Sequence, residues 1–556
     1  MPIDAIAQTQ ETAGLAISEK VVFFEAGSER VHGASGRRLT PSVPTGRLSE
    51  LASLVPRAAE DSSNLEVESP LTATVIGEVA RGSKATLAKA VRRASRAQPM
   101  WAERSFRDRG AVFLEYHDLV LEHQDEILDL IQLETGKARK DAFEEVADVA
   151  LVCRYYALNA EKHLQSIRRR GALPGLTTTW EHHPPRGVVG FIAPWNYPLT
   201  LAITDAIAAL MAGNGVVIKP DRQTPFTALW ALDLLHRAGL PYDVAQVVTG
   251  TGAEIGPHLI DAVDFITFTG STETGRVVAR RAADRLIGCS LELGGKNSMV
   301  VLADADLDDA IEGAVRGSFS NAGQLCISIE RLFVEREIFD TFVRRFVSRT
   351  RQLKLGSGFE FDFDVGSLIS AEQVAAVESH VADAVEKGAT VLVGGRHRPD
   401  IGPYFFEPTI LRDVDSTMTL WAEETFGPVV ALSPFDSVEE AIEQANATRY
   451  GLNASLWTGN PTRGAELAKR FEAGTVNVNE AYAAAWASID APMGGFKDSG
   501  LGRRHGAAGI LRYVETQTVA TQKWLPMAAP EGVGERSYSR LMTEALKLVK
   551  RIPGLR

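Results

Sequence analysis

The chain holds 556 residues, 45% of them hydrophobic and 23% charged, with a formal net charge of −12. That length exceeds one simple core and predicts two or three domains of ordinary globular composition. The acidic balance argues against nucleic acid as a partner, and three cysteines (Cys153, Cys289 and Cys326) are too few for a disulfide scaffold and fit a reducing, cytoplasmic setting.

Residues 1–66 mix Gly, Ser and acidic runs and read as an irregular N-terminal extension. The first residues lack a basic, then apolar leader, so no signal peptide is expected. No run of 18 uncharged apolar residues predicts a transmembrane helix. From Thr72 the pattern becomes regular. Residues 72–80 read as a strand, Lys84 to Trp101 as an amphipathic helix, and Arg107 to Glu134 as one or two more. The centre alternates. Strands are expected at 187–193, 215–219, 246–250 and 265–270, with helices at Leu199–Met211 and Thr227–Ala238. This rhythm predicts a doubly wound parallel sheet, an α/β fold. A second α/β block runs from about Gly294 to Gly495, with strands at 298–302 and 475–479. Two polar, β-prone segments, 177–183 and 515–524, suit either a ribbon that pairs with another subunit or an ordinary edge hairpin. From Ser539 the tail forms an amphipathic helix with Leu541, Ala545, Leu548 and Ile552 on one face. It suits docking on this protein or a partner subunit; the alternative is weak peripheral membrane contact.

Several residues carry chemistry, each ambiguous by itself. Cys326 in F-S-N-A-G-Q-L-C offers a nucleophilic sulfur, though a single cysteine is commonly a small core residue. Glu292 opens E-L-G-G-K-N and could serve as a general base or as a solvated acid. Asn196 in P-W-N-Y-P could donate to an oxyanion or fill a turn. G-S-T-E-T-G (270–275) opens a helix where backbone N–H groups can meet phosphate, without being a G-x-G-x-x-G signature. Lys219 ends a predicted strand, where a cation can meet a ligand in the crevice.

Taken in order, P-W-N-Y-P, K-P-D-R-Q-T-P, F-T-G-S-T-E-T-G, E-L-G-G-K-N, F-S-N-A-G-Q-L-C, E-E-T-F-G-P and P-M-G-G-F-K-D-S-G-L-G-R resemble the successive signatures of the aldehyde dehydrogenase superfamily. The resemblance covers about residues 70–524, and the 34-residue separation of Glu292 and Cys326 also matches. It implies two doubly wound parallel-sheet domains and a small β oligomerisation ribbon. The expected divisions are a dinucleotide-binding domain (67–162 and 185–292), a catalytic domain (293–505), a ribbon (163–184 and 506–525) and a tail (526–556). It implies that Cys326 attacks an aldehyde, that Asn196 and the Cys326 N–H hold the oxyanion, that hydride leaves to a nicotinamide, and that Glu292 activates water against the thioester. By the same resemblance, Trp195, Lys219, Pro220, Asp221, Arg222, Gly270, Ser271, Gly275, Leu293, Glu424 and Phe426 hold the cofactor. Members that prefer NAD often have Glu where this chain has Arg222, so NADP is expected, with NAD possible.

The overall text is similar to bacterial NADP-dependent succinate-semialdehyde dehydrogenases. Better-established members of that activity use two arginines and a serine for the distal carboxylate. Here the arginine positions read Thr204 and Ser320, and only Ser488 survives. Tyr197, Tyr482, Trp486 and Phe319 suit an apolar aliphatic or aromatic aldehyde instead. Ser328 stands where some members carry a second cysteine, so no local disulfide switch is expected. Two rivals are a non-catalytic scaffold, which would not need Cys326, Glu292 and Asn196, and a CoA-acylating enzyme, which would dispense with Glu292. A homodimer or homotetramer is implied, with no metal site.

Overall fold

In a computed structural model the described residues are 41–58, 63–171, 177–523 and 528–550. Two parallel sheets dominate. The first contains β1 (Val188–Ile192), β2 (Gly215–Lys219), β3 (Ala245–Val247), β4 (Phe265–Thr269) and β5 (Gly288–Glu292). Their spatial order is 3-2-1-4-5, with all neighbours parallel. β1 and β2 are buried at every residue, which explains their uninterrupted apolar text. The strand order reverses between β1 and β4, the crevice where doubly wound sheets bind ligands. Ile192 pairs with Lys219 and Phe268, and Thr269 with Glu292. The carboxyl ends of four strands therefore deliver Trp195, Lys219, Gly270 and Glu292 to one edge.

The second sheet contains β6 (Asn297–Val301), β7 (Ile329–Glu335), β8 (Thr390–Val393), β9 (Thr409–Arg412), β10 (Val429–Phe435), β11 (Asn453–Trp457) and β12 (Thr475–Val478). Its order is 8-9-10-7-6-11-12, parallel except for the β8–β9 pair. A separate core of Phe342, Phe346, Leu332 and Val430 packs on it.

The helices Pro198–Met211 and Pro225–Arg237 start with proline and carry no local side-chain cap. Distant buried carboxylates cap them. Glu145 accepts from Leu199 N at 2.8 Å and Thr200 N at 3.1 Å. Glu134 accepts from Phe226 N at 2.7 Å and Thr227 N at 2.8 Å. Each satisfies backbone donors that the helix itself leaves open.

Several boundaries differ from the sequence expectation. Within residues 41–66, expected to be irregular, a helix spans Thr45–Ser53 and a strand begins at Asn64. Leu48 and Leu51 share one helical face and, with Val55 just beyond the helix, enter the core. Residues 1–40 lie outside the described set. Gly500–Leu501, expected in the catalytic domain, returns to the first sheet and pairs antiparallel with β5. The helix Gly506–Leu511, expected in the ribbon, instead packs on the helices Arg139–Leu164 and Pro198–Met211. The ribbon itself is three antiparallel strands, Ile167–Arg169, Thr177–His182 and Gln517–Gln522, with Val519 opposite Trp180, both exposed. The tail helix starts earlier than expected, at Glu535, and runs to Val549; none of its residues is buried. Ile552 lies outside the described residues. Among the described residues no helix is long and apolar enough to cross a membrane.

Candidate active site

Cys326 follows a tight turn in which Asn321, Ala322 and Gly323 take φ values of 49°, 53° and 72°. Three left-handed residues in succession are costly for two of them and need outside support. Asn321 N donates to Asp141 Oδ2 at 2.9 Å, and Asn321 Nδ2 to Asn196 O at 3.0 Å. At Gly323 an added Cβ would lie 2.0 Å from Gly427 O, so only glycine fits. Asn297, the last residue of E-L-G-G-K-N, donates to Cys326 O at 2.8 Å and Ser328 O at 2.7 Å. The turn is thus tied to Asp141 and Asn196, and the main chain at and after Cys326 to Asn297.

Asn196 is buried. Its Nδ2 donates to Gln324 O at 3.0 Å, two residues before Cys326. Its backbone carbonyl accepts from Lys137 Nζ at 2.6 Å. Lys137 is itself fully buried, pairs with Glu145 at 2.7 Å, and lies 3.8 Å over the Tyr197 ring. One chain of contacts therefore runs from a helix cap through a buried ion pair to the loop bearing Asn196. Lys137→Met would leave Glu145 buried without its cation. It is expected to destabilise the fold by about 3–5 kcal/mol, measured by chemical denaturation.

Glu292 ends β5 with its carboxyl group buried and Oε1 without a hydrogen-bond partner. Gly494 of P-M-G-G-F lies against it: an added Cβ there would sit 3.2 Å from Glu292 Oε1. Burial pushes its pKa up to about 7, while Arg504 and Arg512 oppose the rise. Cys326 is partly exposed. Desolvation, then the charges of Glu424 and Glu292, push its thiol up to about 12. The sulfur is therefore a thiol here, with Glu292 among its charged neighbours.

A second group of residues forms a cradle beside it. Glu424 accepts from Gly295 N at 2.8 Å, and desolvation with the charge of Glu330 pushes it up to about 8. Trp195 and Phe426 meet edge to face at 5.5 Å, Phe426 with a left-handed φ of 53°. That loop is held by Glu330, which accepts from Thr425 N at 3.0 Å and Phe426 N at 3.1 Å and pairs with buried Lys296. Ser271 caps the helix Thr272–Asp284, accepting from Thr274 N at 3.3 Å, and stays exposed. Gly270 donates to Glu292 O at 3.0 Å. A Cβ on Gly275 would sit 2.5 Å from Leu293 Cδ2, so glycine lets Leu293 pack on that helix. Lys219 is buried with its amine on Pro220 O. Asp221 turns back to accept from Gln223 N at 3.0 Å, and Arg222 is exposed. An aromatic pair, a carboxylate, a lysine and a helix N-terminus along a parallel-sheet crevice are groups that could hold a dinucleotide.

The family model for the aldehyde dehydrogenase family matches residues 57–519. The chain belongs to the aldehyde dehydrogenase family. It is 48% identical over 517 residues to a protein of Mycolicibacterium smegmatis named "Putative succinate-semialdehyde dehydrogenase (NADP+)", covering 92% of this chain and 100% of that one. Among solved structures it is similar to an E. coli NADP-dependent enzyme (TM-score 0.79, 35% identity, 83% of this chain and 95% of the other). It is also similar to betaine aldehyde dehydrogenase of Staphylococcus aureus in complex with NAD+ (TM-score 0.82, 30% identity, 89% and 99%).

In this aldehyde dehydrogenase an aromatic core cluster lies beside Cys326. Tyr197, Tyr482, Leu325 and Met493 form one apolar cluster, with Cys326 and Trp486 packed against it. Glu144 accepts from both tyrosine hydroxyls, at 3.2 and 2.9 Å. Phe319, expected here, is instead stacked on Phe346 in the second core, because it ends the inward face of its helix. Ser320 is buried beside Tyr482. Thr204 is buried and donates to Thr200 O at 2.7 Å. Ser488 is exposed, its hydroxyl donating to Ala484 O at 2.7 Å. The expected substrate serine thus spends its donor on its own turn. Lys137, Glu145, Asn297, Glu330 and Arg504 were not anticipated from sequence. Acidic residues on the otherwise apolar face of the helix Arg139–Leu164 were the available signal.

Proposed function

We propose that this aldehyde dehydrogenase oxidises succinic semialdehyde to succinate with NADP+. The reading is carried by 48% identity, across nearly the whole chain, to the M. smegmatis protein of that name. Arg222 supports the cofactor choice: it is exposed just beyond β2, a cation where a glutamate would repel a 2′-phosphate. The residues fit a nicotinamide dinucleotide. Glu424 and Phe426 would hold its nicotinamide half, Lys219 its adenosine ribose, and Ser271 its pyrophosphate. When bound, it supplies the hydride acceptor.

The chain's own groups do the rest. Cys326 Sγ, its proton passing to solvent water, bonds the aldehyde carbon. One Asn196 N–H is spent on Gln324 O, and its second N–H, with the N–H of Cys326, receives the developing oxyanion. After hydride loss the carbon is a thioester. Glu292 takes a proton from water as the water oxygen bonds that carbon; the C–S bond breaks and the sulfur leaves with the electron pair.

A neutral aliphatic or aromatic aldehyde is the second reading. The aromatic cluster favours it; the carboxylate bonded to its tyrosines, Glu144, is paired with Arg316 at 3.3 Å. Measuring kcat/KM for succinic semialdehyde, hexanal and benzaldehyde with both cofactors separates them. The first reading expects succinic semialdehyde and NADP+ to lead, and negligible turnover of succinic semialdehyde defeats it. Arg222→Glu is expected to shift cofactor preference toward NAD+ by about 10- to 100-fold. For assembly, we propose that the exposed Trp180–Val519 ribbon joins copies of the chain into a dimer or tetramer.

A further inference from the structure

The tail helix Glu535–Val549 lies beyond the stretch shared with the family, residues 57–519, and none of its residues is buried. At about 100° per residue, Leu541, Met542, Ala545, Leu546, Leu548 and Val549 fill one arc of about 160°. Leu541, Leu546 and Leu548 are 66%, 66% and 62% exposed. These are the side chains a surface helix ordinarily turns inward. A lone helix of this length is marginal in water, so the apolar arc needs a cover that the rest of the described chain does not supply.

Charge points to what covers it. From Arg536 to the last residue the sequence holds six cations, Arg536, Arg540, Lys547, Lys550, Arg551 and Arg556, against one carboxylate, Glu544. The chain as a whole carries −12, with Glu531 and Glu535 just before this stretch. A basic segment therefore ends an acidic protein. On the helix, Arg536, Arg540 and Lys547 fall opposite the leucines. Lys547 pairs with Glu544 at 2.7 Å, both well exposed, and such a pair is easily exchanged for another anion. Cations on long aliphatic stems, opposite a wide apolar arc, form the pattern of a helix that lies in the plane of lipid headgroups. A second copy of the helix fits less well. Helix pairing would cover the narrower stripe of Tyr538, Leu541, Ala545 and Leu548, but Leu546 lies about 120° round from its centre and would stay in water.

We propose that the tail helix docks the enzyme on an anionic bilayer surface. It lies along the headgroups, with Leu541, Leu546 and Leu548 toward the acyl chains and the arginines and lysines on lipid phosphates. The contact is peripheral and reversible. One short helix is a modest anchor, each cation near an anionic surface strengthens binding by about fivefold, and salt screens that part. The reaction at Cys326 does not depend on it, so the two readings stand or fall separately.

The test is co-sedimentation of the full-length enzyme with phosphatidylcholine vesicles, with and without phosphatidylglycerol, at low and high salt. Phosphatidylglycerol is expected to raise the affinity by about 10-fold or more, and high salt to remove most of that gain. Leu541→Glu combined with Leu546→Glu should weaken binding by about 10-fold or more. Its kcat on a water-soluble aldehyde should stay within about twofold of the parent, with an unchanged circular dichroism spectrum. Arg540→Glu combined with Lys547→Glu should cancel the preference for phosphatidylglycerol. Equal binding to both kinds of vesicle, or to neither, overturns the proposal. So does a leucine double variant that binds vesicles as the parent does but forms a smaller assembly by light scattering, which would assign the face to a second copy.

Discussion

Cys326→Ala is expected to lower kcat for aldehyde oxidation by about four to six orders of magnitude. Cofactor affinity, followed by fluorescence titration, should stay within about twofold, because a small change outside the contacts of a bound ligand costs little. The expectation follows from how much of the fold serves this one sulfur. The turn before it holds three left-handed residues and is tied to Asp141 and Asn196, and the carbonyl of Cys326 itself is tied to Asn297. An alanine keeps all those backbone contacts, so the variant should fold normally and fail only in bond formation. Of the other cysteines, Cys153 is sealed in the core and Cys289 lies in β5. Neither can replace it. Residual turnover near the original rate would remove the covalent step from the mechanism.

The strands were legible because burial on both faces writes itself as short apolar runs: V-V-G-F-I and G-V-V-I-K need no partner to be recognised. The helix at Thr45–Ser53 was missed because it is one short amphipathic stretch amid polar text. Cys326, Glu292 and Asn196 were individually ambiguous, and only the ordered succession of signatures singled them out. What holds them was not legible. Lys137 reaches Asn196 across 59 residues, and Asn297 reaches Cys326 across 29. Local periodicity carries no information about such pairs. A buried-face stripe of Asp141, Glu145 and Asp148 does leave a trace, since three carboxylates on the inward side of one helix require partners elsewhere. The same holds for Arg504. In sequence it is one of two adjacent arginines after glycine; only the fold sets it against Asp205 and Thr204.

Glu292→Gln is expected to separate the two halves of the reaction. Acylation and hydride loss do not need the carboxylate as a base toward water. A burst of about one reduced cofactor per site should therefore survive, followed by a steady-state rate lower by about 10²- to 10⁴-fold. Rapid mixing with acid quench should then recover enzyme with the acyl group on Cys326. The original enzyme should show a hydrolysis rate that falls as pH drops through about 7, since the carboxylate is the active form and burial has raised it to that point. Stability moves in the opposite sense. A carboxyl group raised from 4.5 to about 7 on folding binds its proton more tightly in the native state. Native stability is therefore lost as pH rises through that interval, and the loss is complete above it. Glutamine does not titrate, so above pH 7 the variant should resist denaturant better than its parent by about 1–3 kcal/mol. An enzyme that becomes slower and more stable through one atom exchange would show that the buried carboxylate is kept for water activation at the expense of the fold. Equal stability of the two forms at high pH would show instead that Arg504 and Arg512 already neutralise it fully.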